Sequence, residues 1–445
     1  KLFLSMNIKN KAQFIEYFIK GSKQVNQLKI GVEHERFLFE GKEKKRISYS
    51  KLKKIFENLK KKGWEPILEK ENIVGLKRGG QQITTEPGLQ CELSGAPLEN
   101  IHQVCSESAN YLKEIKEASI GLDINTASVG FDPFNSLINT PKNPKERYKI
   151  MTSEMPKNGE LSLEMMYRTC GIQINYDYTS EKNFEKIFRL GNYLVPLTIA
   201  LYANSPFENN KPTGYQSYRN KVWQKTSRGG IMPIAFEKLT FEKYFDHVIN
   251  YPILFATRDK DYIRPNGQIF KDFIEGKFTN INGKANLKDF ETHLATIFTE
   301  VRLKQFIEVR SLDSCDWGCI CNGPAFFAGL FYGPLDEAFN IVSKWKKENV
   351  INAYLESAKN GLSTELENKK LYEWGEIFLK LAKEGLVSRG KMNSKQKDET
   401  IYLLHTENII KKRKNRAQLL LDKFEQTKNL DFFNDEKEDF SYSGL

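Results

Sequence analysis

Charged side chains stand at even spacings on three short strand-like segments of this 445-residue chain, namely 31–39, 83–93 and 305–313. Successive side chains of a strand point to opposite faces, so residues an even number of positions apart share a face. The residues that this rule pairs are Glu33 with Glu35, Glu86 with Glu92, and Glu308 with Arg310. Asp313 falls on the face opposite to Glu308, and the pattern assigns it no role.

These glutamates predict a cavity that binds cations. Apolar residues such as Ile307 and Val309 occupy the other face of the third segment, which predicts strands with one buried and one polar face. Glutamates that converge would raise one another's pKa unless cations lie among them. Their oxygens suit Mg²⁺, which is commonly bound together with nucleotide phosphates. The alternative is surface ion pairing with lysines, the usual state of a charged residue, but three such segments favour the metal site.

Apolar periodicity predicts the elements that position these segments. Segment 169–178 alternates as a central strand does, with Gln173, Asn175 and Asp177 on one face. Segment 75–82 predicts a glycine turn and lacks the Gly-Lys-Ser/Thr ending of a phosphate-binding loop. Helices are predicted over 12–19, over 49–62, from a cap at Ser94 or Gly95 to 118, over 147–155, over 182–203 with a bend near Pro196, and over nearly all of the chain beyond Tyr332.

The length of the chain exceeds that of a usual single-core protein, which predicts two lobes or one large sheet with a helical annex. No repeat or low-complexity linker separates the helical region 333–445 from the rest of the sequence. We therefore predict a single large catalytic domain over 1–445, on which the helical C-terminal part 333–445 packs.

The net charge of +11 raises the possibility of nucleic-acid binding. The basic residues are mostly scattered lysines, as in 42–46, without interleaved aromatic residues, so a solvated surface is the better interpretation. Among the six cysteines, Cys315, Cys319 and Cys321 lack the paired Cys-x2-Cys knuckles of a structural zinc site. The default for a cytosolic chain is free thiols.

The location of the chain is predicted from its apolar stretches. The longest, such as 324–332, fall short of the roughly 20 residues of a membrane span. Segment 1–5 is too short for a secretory signal, whose apolar region alone needs about 7–15 residues. We predict a cytoplasmic protein that binds neither membranes nor nucleic acid.

Several of these segments resemble a known family. The motifs are GVEHERF at 31–37, EPGLQCELSGAPL at 86–98, PKERYKIM at 144–151, MMYRTC at 165–170, ANSPF at 203–207 and FIEVR at 306–310. In this order they are similar to plant-type glutamate–cysteine ligase, a type shared by plants and some bacteria. The likeness runs from about residue 31 to 332, roughly two-thirds of the chain.

The resemblance implies an α+β fold in which a largely antiparallel sheet forms an active-site funnel surrounded by helices. It implies ATP-dependent joining of the γ-carboxylate of L-glutamate to the amine of L-cysteine through a γ-glutamyl phosphate, the first step of glutathione biosynthesis. Phosphoryl transfer of this kind uses Mg²⁺ to offset phosphate charge. L-glutamate, L-cysteine and ATP are the expected partners, and the expected state is a monomer or a redox-dependent homodimer.

The resemblance also implies roles for individual residues. The metal ligands would be Glu33, Glu35, Glu86, Glu92 and Glu308. Arg310 would contact the transferring phosphate beside Glu308, and Lys77 is a weaker candidate for ATP binding. Arg147 and Arg219 would bind the substrate glutamate, since an arginine fork suits a carboxylate. Gln173 and Asn175 would bind substrate or only satisfy a polar strand face.

The family's cysteines imply redox behaviour. Plant members carry an extra cysteine pair around a hairpin, and the corresponding stretches 262–267 and 276–280 have none. The remaining family pair corresponds to Cys105 and Cys321, which implies a possible regulatory disulfide. Whether these two cysteines are bridged is open at the level of the sequence, because a bridge needs a Cα separation of about 4.4–6.8 Å.

Two other functions remain as alternatives. The first is an ATP-dependent carboxylate–amine ligase with another acceptor amine, because a metal cluster indicates phosphoryl transfer and not the acceptor. The second is a basic nucleic-acid-binding protein whose glutamates are structural. Strongly salt-dependent binding to nucleic acid would distinguish that alternative.

Overall fold

The computed structural model describes residues 10–258, 261–278 and 283–434. Segment 1–5 and the end of segment 276–280, which carried predictions above, lie outside the described residues. Among the described helices, none is both long and apolar enough to cross a membrane.

Ten strands form one antiparallel sheet in the order β13-β14-β8-β1-β6-β5-β4-β3, with β2 and β7 also paired to β1. In the described residues, three two-stranded hairpins accompany it. The strands are β1 (Ile30–Glu40), β2 (Lys45–Arg46), β3 (Glu65–Glu69), β4 (Asn72–Arg78), β5 (Gln81–Thr85), β6 (Cys91–Ser94), β7 (Ile124–Ala127), β8 (Gly171–Tyr176), β9 (Phe207–Glu208), β10 (Lys211–Pro212), β11 (Ala256–Arg258), β12 (Asp261–Ile263), β13 (Val301–Leu303), β14 (Ile307–Asp313), β15 (Glu365–Leu366) and β16 (Lys369–Lys370).

Helices cover this sheet and make up most of the chain after β14. They are α1 (Lys11–Ile19), α2 (Tyr49–Lys60), α3 (Ile101–Ala118), α4 (Glu146–Glu154), α5 (Ser162–Arg168), α6 (Glu181–Tyr193), α7 (Val195–Tyr202), α8 (Tyr218–Gln224), α9 (Phe241–Val248), α10 (Phe270–Ile274), α11 (Leu287–Ala295), α12 (Trp317–Ile320), α13 (Asn322–Phe331), α14 (Leu335–Val342), α15 (Lys347–Asn360), α16 (Leu371–Arg389), α17 (Leu404–Lys412) and α18 (Arg416–Thr427). The predicted α+β class with a largely antiparallel sheet is confirmed.

Two helix predictions need correction. The helix expected from Ser94 or Gly95 begins only at Ile101, where the Asn100 side chain accepts a hydrogen bond from the Gln103 amide. The preceding residues do not join the helix because Leu98 pairs with Ile30 at the start of β1. The helix expected over 182–203 is two helices, α6 and α7. Its predicted bend is a break at Leu194, since Pro196 occupies the first turn of α7, where no backbone donor is needed.

The buried face of the sheet packs on helices from the C-terminal half of the chain. Tyr176 at the end of β8 donates a hydrogen bond to the Pro324 carbonyl of α13 over 2.8 Å. Helix α13 packs in turn on α16, where Gly329 and Gly385 lie so close that a Cβ at either position would overlap backbone atoms. This apolar support leaves the opposite face of the central strands free to carry polar side chains. The division of the chain into domains stays a prediction.

Candidate active site

A cavity of about 380 Å³ collects residues from the central strands of the sheet. Of the residues predicted to form the site, those that line it are Glu33, Glu35, Glu86, Glu92, Arg147, Gln173 and Arg310. Glu33, Glu35, Glu92, Gln173 and Arg310 lie on β1, β6, β8 and β14, and the even-spacing rule predicts their shared face correctly. Glu86 lies in the turn between β5 and β6 and Arg147 lies on α4, so segment 83–93 forms two strands instead of the single predicted one. Residues of the α4 and α5 region and aromatic side chains such as Trp223 and Phe255 close the other sides.

Four glutamates form one side of the cavity, which we name the acidic wall: Glu33, Glu35, Glu86 and Glu92. Antiparallel pairing of β1 with β6 sets Glu35 directly opposite Glu92. Burial, followed by the charge of Glu86, raises the pKa of Glu35 to about 8. Burial and the neighbouring carboxylates also raise the pKa of Glu92 well above its usual value. The acidic wall therefore lacks the positive charge that would keep all its members ionised.

Neutral donors hold the acidic wall in place. Thr84 and Ser94 donate hydroxyl hydrogen bonds of 2.9 and 2.7 Å to Glu92. The Gly171 amide donates to Glu35 over 2.5 Å. Asn175 does not line the cavity, and its side-chain amide donates to Glu33 over 3.2 Å. Asn175 thus supports the wall from within β8.

The same cavity has a basic wall, formed by Arg302, Lys304 and Arg310 around Glu308. Cross-strand pairing of β13 with β14 places Arg302 opposite Glu308, and two guanidinium nitrogens donate to this carboxylate. Lys304 and Arg310 each lie 3.5 Å from a Glu308 oxygen. Burial alone would raise the pKa of Glu308, but these three cations hold it well below its usual range.

Glu308 differs from the other predicted metal ligands. It is fully buried and does not line the cavity, where Arg302, Lys304 and Arg310 present the basic wall instead. The sequence prediction missed Arg302 and Lys304 because nothing in segment 305–313 reveals its hairpin partner. The signal that could have found them is the charged and apolar alternation of 301–304, directly before the third segment.

Arg219 and Asp313 lie behind the cavity. Arg219 is buried, does not line the cavity and donates a hydrogen bond of 3.0 Å to the carbonyl of Arg310. Its charge lowers the pKa of Glu35. Asp313 lies 3.9 Å from Arg219. The other donors to the Asp313 carboxylate are the Asn204 amide, the Ser205 and Ser217 hydroxyls and the Asn220 side chain.

Assigning no role to Asp313 was therefore wrong. The register of β14 against β8 shifts between Val309 and Leu312. Such an irregularity changes which side chains share a face, so simple alternation does not apply across it. Asp313 is a buried anchor that positions α8 and its Arg219 beside the active-site strands.

Two basic residues of segment 144–151 also approach the acidic wall. Arg147 lines the cavity and donates to the Tyr148 hydroxyl over 2.8 Å. Lys145, which the sequence interpretation did not single out, donates to the Thr85 carbonyl over 2.9 Å. Burial, followed by the Arg147 charge, lowers the pKa of Lys145 to about 8. The structure thus adds Lys145 to the residues near Glu86.

The structure does not bring Lys77 to the cavity. Its side chain is 56% exposed on β4 and lies 3.4 Å from Glu65. The prediction of Lys77 as an ATP contact therefore needs correction. The physical reason is alternation, because the neighbouring Leu76 is the residue of this strand that is buried.

The predicted Cys105–Cys321 disulfide is present, with a Cα separation of 5.9 Å. Cys315 and Cys319 form a second disulfide, also with a Cα separation of 5.9 Å. The expectation of free thiols is therefore wrong at four positions and holds for Cys91 and Cys170, both buried. Two cysteines four residues apart at a strand-to-helix junction are the signal that could have indicated the second bridge.

The donor chemistry of the acidic wall fits Mg²⁺, because every candidate ligand is a carboxylate oxygen. Within the described ranges no three acidic, histidine or cysteine side chains are yet close enough to hold one metal ion. Burial, together with clustered negative charge, raises the pKa values of Glu35 and Glu92, and a cation would offset that charge. The residues thus fit a hard cation, provided that the carboxylates of the acidic wall move closer together around it.

Comparison with known proteins agrees with the family resemblance noted in the sequence. A family model described as glutamate–cysteine ligase family 2 matches residues 29–436. The chain is 39% identical over 387 residues to glutamate–cysteine ligase B, chloroplastic, of Oryza sativa subsp. japonica, which covers 85% of this chain and 78% of that protein. It is 38% identical over 419 residues to the chloroplastic glutamate–cysteine ligase of Solanum lycopersicum, covering 93% and 79%. The predicted resemblance is confirmed.

A solved structure shares the fold at low sequence identity. It is the crystal structure of glutamate–cysteine ligase from Francisella tularensis in complex with AMP, with a TM-score of 0.52 and 11% identity. The match covers 95% of this chain and 92% of that chain. It supports the architecture of the sheet and its helices.

The names of the relatives correct the predicted location. The rice and tomato proteins, like the similar proteins of Nicotiana tabacum and Arabidopsis thaliana, are named chloroplastic. The prediction of a cytoplasmic protein is therefore wrong. Its basis was a test for secretory signals and membrane spans, and this test does not detect the amphipathic transit peptides of plastid proteins.

Proposed function

The chain belongs to glutamate–cysteine ligase family 2, and we propose that this ATP-dependent ligase joins L-glutamate to L-cysteine in the cavity between the acidic and basic walls. The reaction is the first step of glutathione biosynthesis. The γ-carboxylate of glutamate attacks the terminal phosphorus of ATP and ADP leaves. The cysteine amine then attacks the acyl phosphate, loses a proton, and phosphate departs. The observation that carries this placement is one cavity lined by both an acidic and a basic wall, since phosphoryl transfer requires both.

The acidic wall is proposed to hold Mg²⁺. Glu33, Glu35, Glu86 and Glu92 present carboxylates to the cavity, and Glu308 completes the proposed ligand set. Bound Mg²⁺ would neutralise phosphate charge and orient the transfer. Glu308 would have two roles in this chain, because besides binding Mg²⁺ it also pairs with Arg302, Lys304 and Arg310.

The basic wall is proposed to bind the transferring phosphate. Arg310 and Lys304 line the cavity, so their charges are available to a phosphate bound there. Burial and neighbouring cations lower the pKa of Arg310 to about 10, so at neutral pH it stays charged. A fixed guanidinium in a buried site stabilises developing negative charge without rearranging during the reaction.

The substrate glutamate is proposed to contact Arg147 and Arg219. Nε of Arg147, and Nε and Nη1 of Arg219, are buried and have no hydrogen-bond partner within the described residues. Unpaired buried donors are costly unless a ligand satisfies them, which supports a carboxylate here. Gln173 lines the cavity and donates to Glu35 over 3.3 Å, so we assign it a positioning role shared with substrate contact.

The experiment that tests this function is phosphate release from ATP in the presence of Mg²⁺. Release should require glutamate and cysteine together, and Glu35→Gln should abolish it. Glu43→Gln is the matched control, since Glu43 is exposed and pairs with Lys45. A panel of amines in place of cysteine tests the acceptor. If another amine supports equal release, the chain is a ligase of different acceptor specificity; if neither amino acid is required, the proposal fails.

The organisation of the chain is part of the same proposal. We infer a single catalytic domain over 1–445 with 333–445 packed on it, because α16 contacts both α13 and α7. The proposed oligomeric state is a monomer or a redox-dependent homodimer. Sedimentation with and without reductant tests this state, since a dimer that persists under both conditions contradicts it.

A further inference from the structure

A second cavity is separate from the active site. Its volume is about 810 Å³, and residues from the segments 154–158, 227–228, 251–254 and 264–267 line it. None of these described residues also lines the active-site cavity. Its size lies within the range of roughly 300–1,000 Å³ that is usual for small-molecule sites.

The buried end of this cavity is formed by Arg228. Its Nε donates to the Thr296 carbonyl over 2.7 Å, its Nη2 donates to the Thr296 hydroxyl over 3.2 Å, and its Nη1 donates to the Pro252 carbonyl. These acceptors are all neutral, and no carboxylate among the described residues pairs with this guanidinium. A guanidinium has five N–H groups, so Arg228 keeps two that can bind a ligand.

This arrangement is unusual for a buried charge. Buried charges in proteins are normally paired with an opposite charge, and burial lowers the pKa of Arg228 to about 10. At neutral pH the guanidinium therefore stays charged without a counter-ion in contact. A bound anion would supply that counter-ion.

The mouth of the cavity adds further positive charge. Arg264 and Lys157 line it together with one acidic residue, Glu154. Glu154 pairs with Lys157 over 2.7 Å. In the part of the chain that the structure describes, the side chain of Arg264 contacts only the Ser153 hydroxyl, at 3.4 Å. The lining thus has an excess of positive charge, which concentrates anions in a cleft.

We propose that this cavity binds a phosphate group, with Arg228 as the buried anchor and Arg264 and Lys157 at the mouth. The guanidinium fork suits the oxygens of phosphate. The phosphate is either free or part of an ester, whose organic group would lie on the segment Tyr251–Leu254 that lines the same cavity.

The proposed site is next to the active site but does not depend on the function proposed for it. Thr296, which accepts two hydrogen bonds from Arg228, lines the active-site cavity. Arg228 therefore lies between the two cavities. Because both cavities contain basic residues, a test of phosphate binding needs a readout that is local to the second one.

Phenylglyoxal, which modifies arginine, supplies this readout, since Arg264 is exposed. The rate of labelling at each arginine is measured by peptide mass spectrometry, with and without inorganic phosphate, at an ionic strength matched with sodium chloride. At a phosphate concentration ten times the Kd, labelling of Arg264 should slow about tenfold, because mass action leaves about one-tenth of the sites free. Arg413 is the internal control, because it is exposed between Lys412 and Lys414 and lines no part of this cavity.

Two variants test the residues of the site. Arg228→Met should abolish the protection of Arg264, and circular dichroism checks that this variant folds. Lys157→Glu leaves the buried anchor intact and should raise the phosphate concentration for half-protection by about tenfold, from the loss of a charge-assisted contact. Its matched control is Lys149→Glu, because Lys149 makes the same i,i+3 ion pair on α4, is 62% exposed against 61% for Lys157, and does not line the cavity.

Phenyl phosphate distinguishes the two sources of the phosphate group. Protection of Arg264 at a lower concentration than inorganic phosphate requires supports an ester as the ligand, and equal concentrations support free phosphate. The proposal is overturned if phosphate protects Arg264 no more than Arg413. It is also overturned if Lys157→Glu and Lys149→Glu show the same half-protection as the wild type, and this comparison stands even if Arg228→Met does not fold.

Discussion

The two walls of the active-site cavity use the same residue type in opposite ways. On the acidic wall, burial and nearby carboxylates raise the pKa of Glu35 to about 8. On the basic wall, Glu308 is more completely buried than Glu35, yet Arg302, Lys304 and Arg310 hold its pKa well below the usual range. At neutral pH Glu308 is therefore ionised without any ligand, whereas burial and neighbouring carboxylates favour the protonated form of Glu35.

This difference indicates that the two walls contribute differently to the stability of the fold and to ligand binding. In a buried ion pair such as Arg302 with Glu308 the two charges compensate each other without a ligand, and removing one partner leaves an uncompensated charge. The acidic wall is incomplete in the free protein, since its hydrogen bonds come from neutral groups such as Thr84 and Ser94. We infer that the basic wall contributes to the stability of the fold. The clustered carboxylates of the acidic wall are unfavourable for stability, and they are present because they bind a ligand.

The largest expected effect comes from breaking the basic wall. Arg302→Met should lower the free energy of unfolding by about 3–5 kcal/mol, because Glu308 loses its bidentate partner inside the protein. Urea unfolding measures the change. The double variant Arg302→Met/Glu308→Met should recover part of the loss, since no isolated charge remains. If the double variant is as unstable as the sum of the single variants, Glu308 is not the partner that matters.

The second prediction concerns the acidic wall and pH. In metal-free buffer the native state keeps a proton on Glu35 up to a pKa of about 8, while the unfolded chain releases it at about pH 4.3. The native state thus binds more protons in this window, and stability should fall as pH rises from about 5 to about 8. The slope contributed by one proton is at most about 1.4 kcal/mol per pH unit.

Urea unfolding in EDTA at several pH values measures this slope, and Glu35→Gln should flatten it. Addition of Mg²⁺ should recover stability mainly at the upper end of the range, where ion binding no longer competes with a proton. Glu43→Gln, at an exposed position, should leave the slope unchanged. A stability that rises with pH in wild type but not in Glu35→Gln would show that Glu35 is ionised in the free protein.

The acidic wall is the part of the site that the sequence predicts best. Glu33 and Glu35 lie on the regular strand β1, so alternation alone assigns their common face, and the pairing of β1 with β6 brings Glu92 beside them. The basic wall depends on pairing between two strands, and the partner of Glu308 is set by the hairpin that joins β13 to β14. Spacing within one segment carries no information about that register.

The failures elsewhere have similar causes. Asp313 lies beyond a register shift in β14, and the start of α3 is delayed because Leu98 pairs with Ile30. In both cases a contact with a distant strand overrides the local pattern. The predicted fold class is not affected by such errors, because it depends on the number and type of elements. The placement of a single side chain is affected, because it depends on these contacts with distant strands.

A third prediction concerns the link between the walls. Arg219 donates to the Arg310 carbonyl on β14 and lowers the pKa of Glu35 on β1. Arg219→Ala should raise the glutamate concentration required for half-maximal rate roughly tenfold to over a hundredfold, from the loss of a charge-assisted contact worth about 1.5–3 kcal/mol. The ATP requirement should change far less. Lys221→Ala on the same helix is the control, and equal effects on glutamate and ATP would contradict the role.

The smallest expected effect is the most direct test of the contrast between the walls. Glu92→Gln keeps an oxygen that can accept the hydrogen bonds from Thr84 and Ser94, but it removes a buried carboxylate from a cluster of like charges. Its free energy of unfolding in EDTA at neutral pH should therefore rise by about 1 kcal/mol, although ligase activity is lost. Glu308→Gln should lose activity and stability together, because Arg302 is left without its charge partner. If both variants lose stability equally, the acidic wall is as fully compensated as the basic wall, and its charge is not held in reserve for a metal ion.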